Sequence, residues 1–351
     1  MFYEEDINLK TVGAEEYLKQ SALEKIEHLK NLYKDVKNEE LDIEIEVHVE
    51  SKIPAGKYGG FSRFDGEKYS LVLYIDLIYT VDNFLFTLLE GVLPENEAVR
   101  KGFFNLLLPT EEYSLKKAKI FQMYLRDMSI DIIIYHEFGH ILNGHLKYIH
   151  FDLKDNESTM HMDSSLNFIE PLESRTLEMD ADAFAATRII ARYAHDKSVE
   201  QVPLRVVYNK THAFILNIIS AVFVFSLSYN SLGRKRPKAD LNEMKYLPPR
   251  TRLDHYIQCC ISAYEHFNKE EPLDEEFKDM DFWREVVGNI EENANIYNRD
   301  VFSVGMQEIS RDNNLEELQE RNLNHIYDLN NYWSNRLRAK LVKYAYFELA
   351  K

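Results

Sequence analysis

The sequence predicts a predominantly helical α+β protein with one small antiparallel sheet in its N-terminal third. Three observations carry this: strict apolar alternation in one short stretch, a turn dipeptide between two strand-like runs just after it, and helical spacing over most of the remainder. At 351 residues the chain is long enough to bury a sizeable core. Its 45% apolar and 29% charged residues are the composition of a folded globular protein.

In chain order, "AEEYLKQSALEKIEHLKNLYKDV" repeats apolar residues at helical spacing and predicts an amphipathic N-terminal helix. "LDIEIEVHVE" puts Leu41, Ile43, Ile45, Val47 and Val49 on one face, the pattern of a half-buried strand. "FSRFDGEKYSLVLYI" has two strand-like runs around Asp65-Gly66, a dipeptide suited to a tight hairpin turn. The sheet is therefore expected over about residues 40–76, with the edge around "YSLVLYI" open to pair with an extended substrate.

Beyond about residue 80 helical patterns dominate. The proline-free "LKKAKIFQMYLRDMSIDIIIYHEFGHILNGH" predicts a helix over about 115–144, and "LEMDADAFAATRIIARY" belongs to another over about 172–195. "AFILNIISAVFVFSL", residues 213–227, is apolar nearly throughout but falls short of the roughly 20 residues that span a bilayer. It is expected as a core helix followed by a solvated basic loop, "GRKRPK", with peripheral membrane association as the alternative. The acidic "NKEEPLDEEFKDMD", residues 268–281, is the weakest seam. It divides a unit of residues 1–270 from a C-terminal helical extension, 271–351.

Acids outnumber bases 59 to 42, a formal charge of −17, so nucleic acid and anionic membrane would meet a repelling average surface. The cysteines, Cys259 and Cys260, are adjacent and provide no disulfide framework. "MFYEEDINLK" lacks a basic stretch followed by an apolar one. A cytoplasmic, reducing setting is therefore expected, with the sequons at Asn156 and Asn209 as chance matches.

The chemistry gathers at "YHEFGHILNGH", residues 135–145. On a helix, four residues rotate about 400° and rise about 6 Å, which brings His136 and His140 to one side, one turn apart. Two imidazole nitrogens can then share a tetrahedral Zn²⁺ at about 2.0–2.1 Å each. Glu137 flanks that face and is placed to take a proton from metal-bound water without itself being a ligand. Gly144 offers a helix stop. A catalytic zinc needs a third protein ligand from a separate element, and Glu178 is expected to supply it, with His145 and Asp182 as competing donors. Asp182, four residues on, is expected to accept the remaining ring N–H of a ligating histidine. Asp180, about 200° from Glu178, is expected to be a solvated acid. His150, His161 and His195 read as ordinary histidines. A metzincin-type third histidine would fall at 146, which is Leu146. Arg250 and Arg252, after Pro248-Pro249, are candidate transition-state stabilisers, although arginines after a proline turn are more often structural.

"HEFGHILNGH" followed by "EMDAD" resembles the gluzincin metallopeptidases, in which two histidines and the glutamate of a Glu-x-x-x-Asp motif hold zinc. Within that group it resembles HtpX-like and CAAX-protease-like enzymes, ImmA/IrrE-like regulators and, by its size and single apolar helix, the Lit-type phage-exclusion peptidases. The resemblance covers about residues 115–195. It implies a gluzincin-like core with His136, His140 and Glu178 as ligands, Glu137 as base and Asp182 behind a ligand. The expected function is a zinc metalloendopeptidase acting on an intracellular protein or peptide. The alternative is a non-catalytic binding or regulatory protein in which His145 closes a structural zinc site.

Overall fold

The structure is a computed structural model. It describes residues 13–52, 60–76, 79, 81, 115–153, 160–161, 169–192, 210–231, 247, 249–297 and 315–350. His195, Pro248, the sequon asparagines Asn156 and Asn209, and the basic stretch after residue 231 lie outside the described residues.

The protein is a predominantly helical α+β fold. The N-terminal helix α1, Ala14–Lys37, buries Leu18, Ala22 and Leu29 along one face and ends on Asn38 in the left-handed conformation. Three strands follow: β1 (Ile45–Glu50), β2 (Gly60–Phe64) and β3 (Tyr69–Tyr74). The predicted hairpin joins β2 to β3, and the Asp65 carboxylate closes its turn by accepting the Glu67 and Lys68 backbone N–H groups at 2.9 and 2.8 Å. A two-residue strand β4, Met160–His161, pairs with β2.

Two expectations about the sheet are corrected. It is mixed rather than antiparallel, because β1 runs parallel to β3, with Ile45 opposite Tyr69 and Glu50 opposite Tyr74. Among the described residues its order is β1-β3-β2-β4, so β3 is interior and the "YSLVLYI" backbone is paired on both sides. Alternation reports which face of a strand is buried; it carries no information on which strand lies next to it or in which direction.

Below the sheet lies α2, Leu115–Leu142, which packs against β2, against α4 (Pro171–Ile190) and against α5 (Lys210–Ser231). Between α2 and α4 the chain makes a short helix α3, His145–Tyr148, and a π-helical turn over Ile149–Leu153. The apolar α5 is a core helix, with Phe214, Ile218 and Phe223 fully buried. Two of its buried polar residues are satisfied: Asn217 accepts from the Tyr256 hydroxyl at 3.0 Å, and the Ser220 hydroxyl donates to the Leu216 carbonyl at 2.8 Å. No helix among the described residues is long and apolar enough to cross a membrane.

Helix α6, Pro249–Phe267, packs on both α4 and α5. Among the described residues, helices α7 (Glu275–Lys278), α8 (Met280–Tyr297), α9 (Leu315–Tyr332) and α10 (Arg338–Leu341) follow. Trp283, Leu329, Trp333, Leu337 and Phe347 from this C-terminal stretch belong to the same apolar core as α2 and α4. A buried ion pair, Lys25 to Asp131 at 2.5 Å, and a hydrogen bond from the Tyr17 hydroxyl to Asp127 at 2.6 Å fix α1 on α2.

Candidate metal centre

Helix α2 delivers His136 and His140 one turn apart, as the spacing predicts. Helix α4 delivers Glu178 across from them, and a glycine makes that approach possible. A Cβ on Gly139 would stand 2.9 Å from Ala181 Cα, so the two helices touch at backbone distance between the paired motifs. Ala181 lies in this contact, and the small side chains at Ala185 and Ala186 are buried as well.

Three donor atoms result: His136 Nε2, His140 Nε2 and a Glu178 carboxylate oxygen. The two nitrogens are 3.2 Å apart; His136 Nε2 lies 3.4 Å from Glu178 Oε2, and His140 Nε2 lies 3.5 Å from Glu178 Oε1. Ligands placed about 2.0–2.1 Å from a tetrahedral centre are separated by about 3.3–3.4 Å; the two imidazole nitrogens already have about that spacing, and one donor atom from each of the three residues lies within 4.8 Å of the others. The donor set of two imidazoles and a carboxylate could hold a metal ion, and it suits zinc.

Around the triangle the second-layer contacts are equally defined. His136 Nδ1 donates to Asp182 Oδ1 at 2.8 Å, the role expected for Asp182. Arg252 grips the same carboxylate with two donors, Nε at 2.5 Å and Nη2 at 2.8 Å, while Nη2 also lies 3.5 Å from Glu178. Burial raises the Asp182 carboxyl, but Arg252 and His136 outweigh it and hold the group at about 2. Burial likewise pulls His136 down, and the Asp182 carboxylate more than reverses that, to about 10. Burial, with the neighbouring His136, His145 and Arg252, holds His140 well below the usual range. Arg252 is thus placed at the site, on α6, with its guanidinium engaged by Asp182. Arg250 stands in the first turn of that helix, and its side chain lies outside the described residues.

Glu137 is buried, and one of its oxygens accepts the Ser62 hydroxyl at 2.8 Å. Ser62 is fully buried on the face of β2 that meets α2, so the sheet holds the carboxylate that the helix presents. The sequence offered one signal for Ser62, a hydroxyl that alternation puts on the same strand face as Phe64.

Asp180 is corrected. It is buried, accepting from Asn143 Nδ2 at 2.6 Å and lying 2.9 Å from His145 Nε2. Its face of α4 does turn away from Glu178, but what it meets there is the turn after α2 rather than solvent. His145 is not one of the three clustered donors: its Nδ1 is 2.9 Å from His140 Nδ1 and its Nε2 faces Asp180. His150 packs edge-on against Phe64 and Phe151, away from the donor set.

Compared with protein-family models, with curated proteins and with solved structures, the chain matches none.

Proposed function

We propose that the protein is a zinc-dependent metalloendopeptidase, with His136, His140 and Glu178 holding the metal and Glu137 acting as general base on an intracellular protein or peptide. The observation that carries this reading is the group of His136, His140 and Glu178, with one donor atom of each within 4.8 Å of the others, and the buried Glu137 carboxylate next to it in sequence. The resemblance of the two motifs to gluzincins supplies the reaction class and the expectation of a gluzincin-like core.

A zinc ion held by these residues supplies a Lewis acid that acidifies water and polarises a carbonyl. Glu137, held by the Ser62 hydroxyl, is the carboxylate proposed to take a proton from the attacking water and deliver it to the leaving amine. Asp182 keeps the His136 ring turned so that Nε2 faces the donor triangle, and Arg252 keeps Asp182 ionised. The structural-zinc alternative requires His145 as the closing ligand. Against it stands the geometry of His145, whose two nitrogens face His140 Nδ1 and Asp180.

The test is metal content followed by cleavage. Purified protein should carry about one zinc per chain, and His136→Ala and Glu178→Ala should each lose most of it. Glu137→Gln should keep the zinc and the fold, while proteome-wide cleavage in a lysate drops by about 10²–10⁴ and becomes undetectable. Wild type and Glu137→Gln giving the same cleavage profile would replace the peptidase reading by the structural one.

A further inference from the structure

Behind His140, on the ring nitrogen opposite the donor triangle, lie three buried polar side chains: Asn143, His145 and Asp180. Asn143 and His145 flank Gly144, whose φ of 82° turns the chain from α2 into α3 and brings both side chains back over the end of α2. Asp180 reaches them from α4. A carboxylate oxygen accepts, so the 2.9 Å contact with Asp180 places a hydrogen on His145 Nε2. Asn143 donates to the same oxygen at 2.6 Å, which keeps that carboxylate turned toward the turn. In the His145 tautomer with that hydrogen on Nε2, Nδ1 is an acceptor and receives the Nδ1 hydrogen of His140 across 2.9 Å. The consequence falls on His140 Nε2, which keeps its lone pair, 3.2 Å from His136 Nε2 and 3.5 Å from Glu178.

We infer that Asp180, anchored by Asn143 and relayed through His145, is the positioning carboxylate for His140, as Asp182 is directly for His136. This inference rests on the metal-centre reading above. One stretch of α4 then supplies everything that the histidines of α2 need. Glu178 is the ligand, Asp182 orients the first histidine at 2.8 Å, and Asp180 orients the second through an intermediate ring. The relay is required by reach: residues 180 and 182 are separated by about 200° on the helix, so both carboxylates do not meet histidines on one face of α2 directly. His145 spans the difference. Without it, the His140 N–H would be buried with no acceptor, and the ring would be free to present the wrong nitrogen.

The experiment titrates the chelator-stripped full-length chain with zinc ion alone, in competition with a chromophoric chelator. His145→Phe and Asp180→Asn should each weaken zinc binding by about 10–100-fold. His145→Gln, whose amide oxygen accepts from His140 while its NH₂ donates to Asp180, should bind within a few-fold of wild type. A role confined to packing would lower the melting temperature of the metal-free variants and leave the zinc affinity of the folded protein unchanged; that result overturns the inference. If His145→Phe does not fold, Asp180→Asn, which preserves shape, decides: wild-type affinity there overturns it equally. His136→Ala in the same titration separates the two failures. Retained binding in His136→Ala sinks the metal centre and the inference together, whereas loss there with unchanged binding in Asp180→Asn sinks the inference alone.

Discussion

At the residue scale, Glu137 and Ser62 show how a strand hydroxyl holds a carboxylate presented by a helix. The two lie 75 positions apart, yet the Ser62 hydroxyl meets Glu137 Oε2 at 2.8 Å in a setting closed to solvent. A hydrogen bond to a charged group is worth about 1.5–3 kcal/mol, enough to hold a rotamer. Ser62→Ala should therefore retain about one zinc per chain and slow cleavage by roughly tenfold, as the carboxylate samples other orientations. The check is kcat/KM for a peptide that the wild type cuts, measured beside zinc content. Equal rates would show that Glu137 is oriented by something other than β2.

At the element scale, the centre depends on the contact between α2 and α4, and that contact depends on the absence of a side chain at Gly139. The methyl group of Gly139→Ala would stand 2.9 Å from Ala181 Cα, closer than packing permits, and 3.2 Å from its carbonyl oxygen, tighter than most contacts. The helices must part, at a cost of about 1–3 kcal/mol. Zinc affinity should fall with stability, because Glu178 moves with α4; denaturant midpoints and a zinc titration read both. The neighbouring α6 carries a different liability. His255 is buried, and burial depresses its pKa despite a partial counter-pull from Asp182 and Asp180. The unfolded chain, with an ordinary value near 6.5, takes up a proton that the folded chain refuses. The contribution of His255 to stability is thus full above about 6.5 and declines as the pH drops through it toward the lower folded value, by at most about 1.4 kcal/mol per pH unit. His255→Gln should remove that part of the slope between pH 7.5 and pH 5.5 in urea unfolding.

At the scale of the whole molecule, the chain's last residues close over the end of the helix that bears the histidines. The Tyr346 N–H donates to the Leu142 carbonyl at 2.8 Å and so caps α2. Tyr344 and Ala345 pack on Gly144 so closely that a Cβ there would sit 2.7 Å from the Tyr344 backbone. Lys147 donates to the Tyr346 hydroxyl at 2.7 Å with its ammonium over the ring. Phe347 and Leu349 are buried in the common core. Burying two such side chains contributes about 3–6 kcal/mol. A chain ending at Val342 should unfold at a clearly lower denaturant concentration and bind zinc less tightly, since α2 loses its cap. Unchanged midpoint and affinity would mean that the terminal segment is dispensable to the site.

How much of this was legible in the sequence follows from what each signal encodes. Periodicity determined α1, α2, α4, the hairpin at Asp65-Gly66 and the buried character of residues 213–227, because side-chain direction along a helix or strand is local geometry. The same local geometry paired His136 with His140 and Glu178 with Asp182, four residues apart in each case. Tertiary structure alone decided whatever depends on which element lies across from which. It made β3 interior and parallel to β1, brought Ser62 to Glu137, and gave Arg252 to Asp182. It also buried Asp180, which helical geometry correctly turned away from Glu178 but left without a neighbour. Spacing fixes directions from an axis, whereas a partner's identity is set by the packing of axes against one another, and at this centre that packing is set by the backbone contact at Gly139.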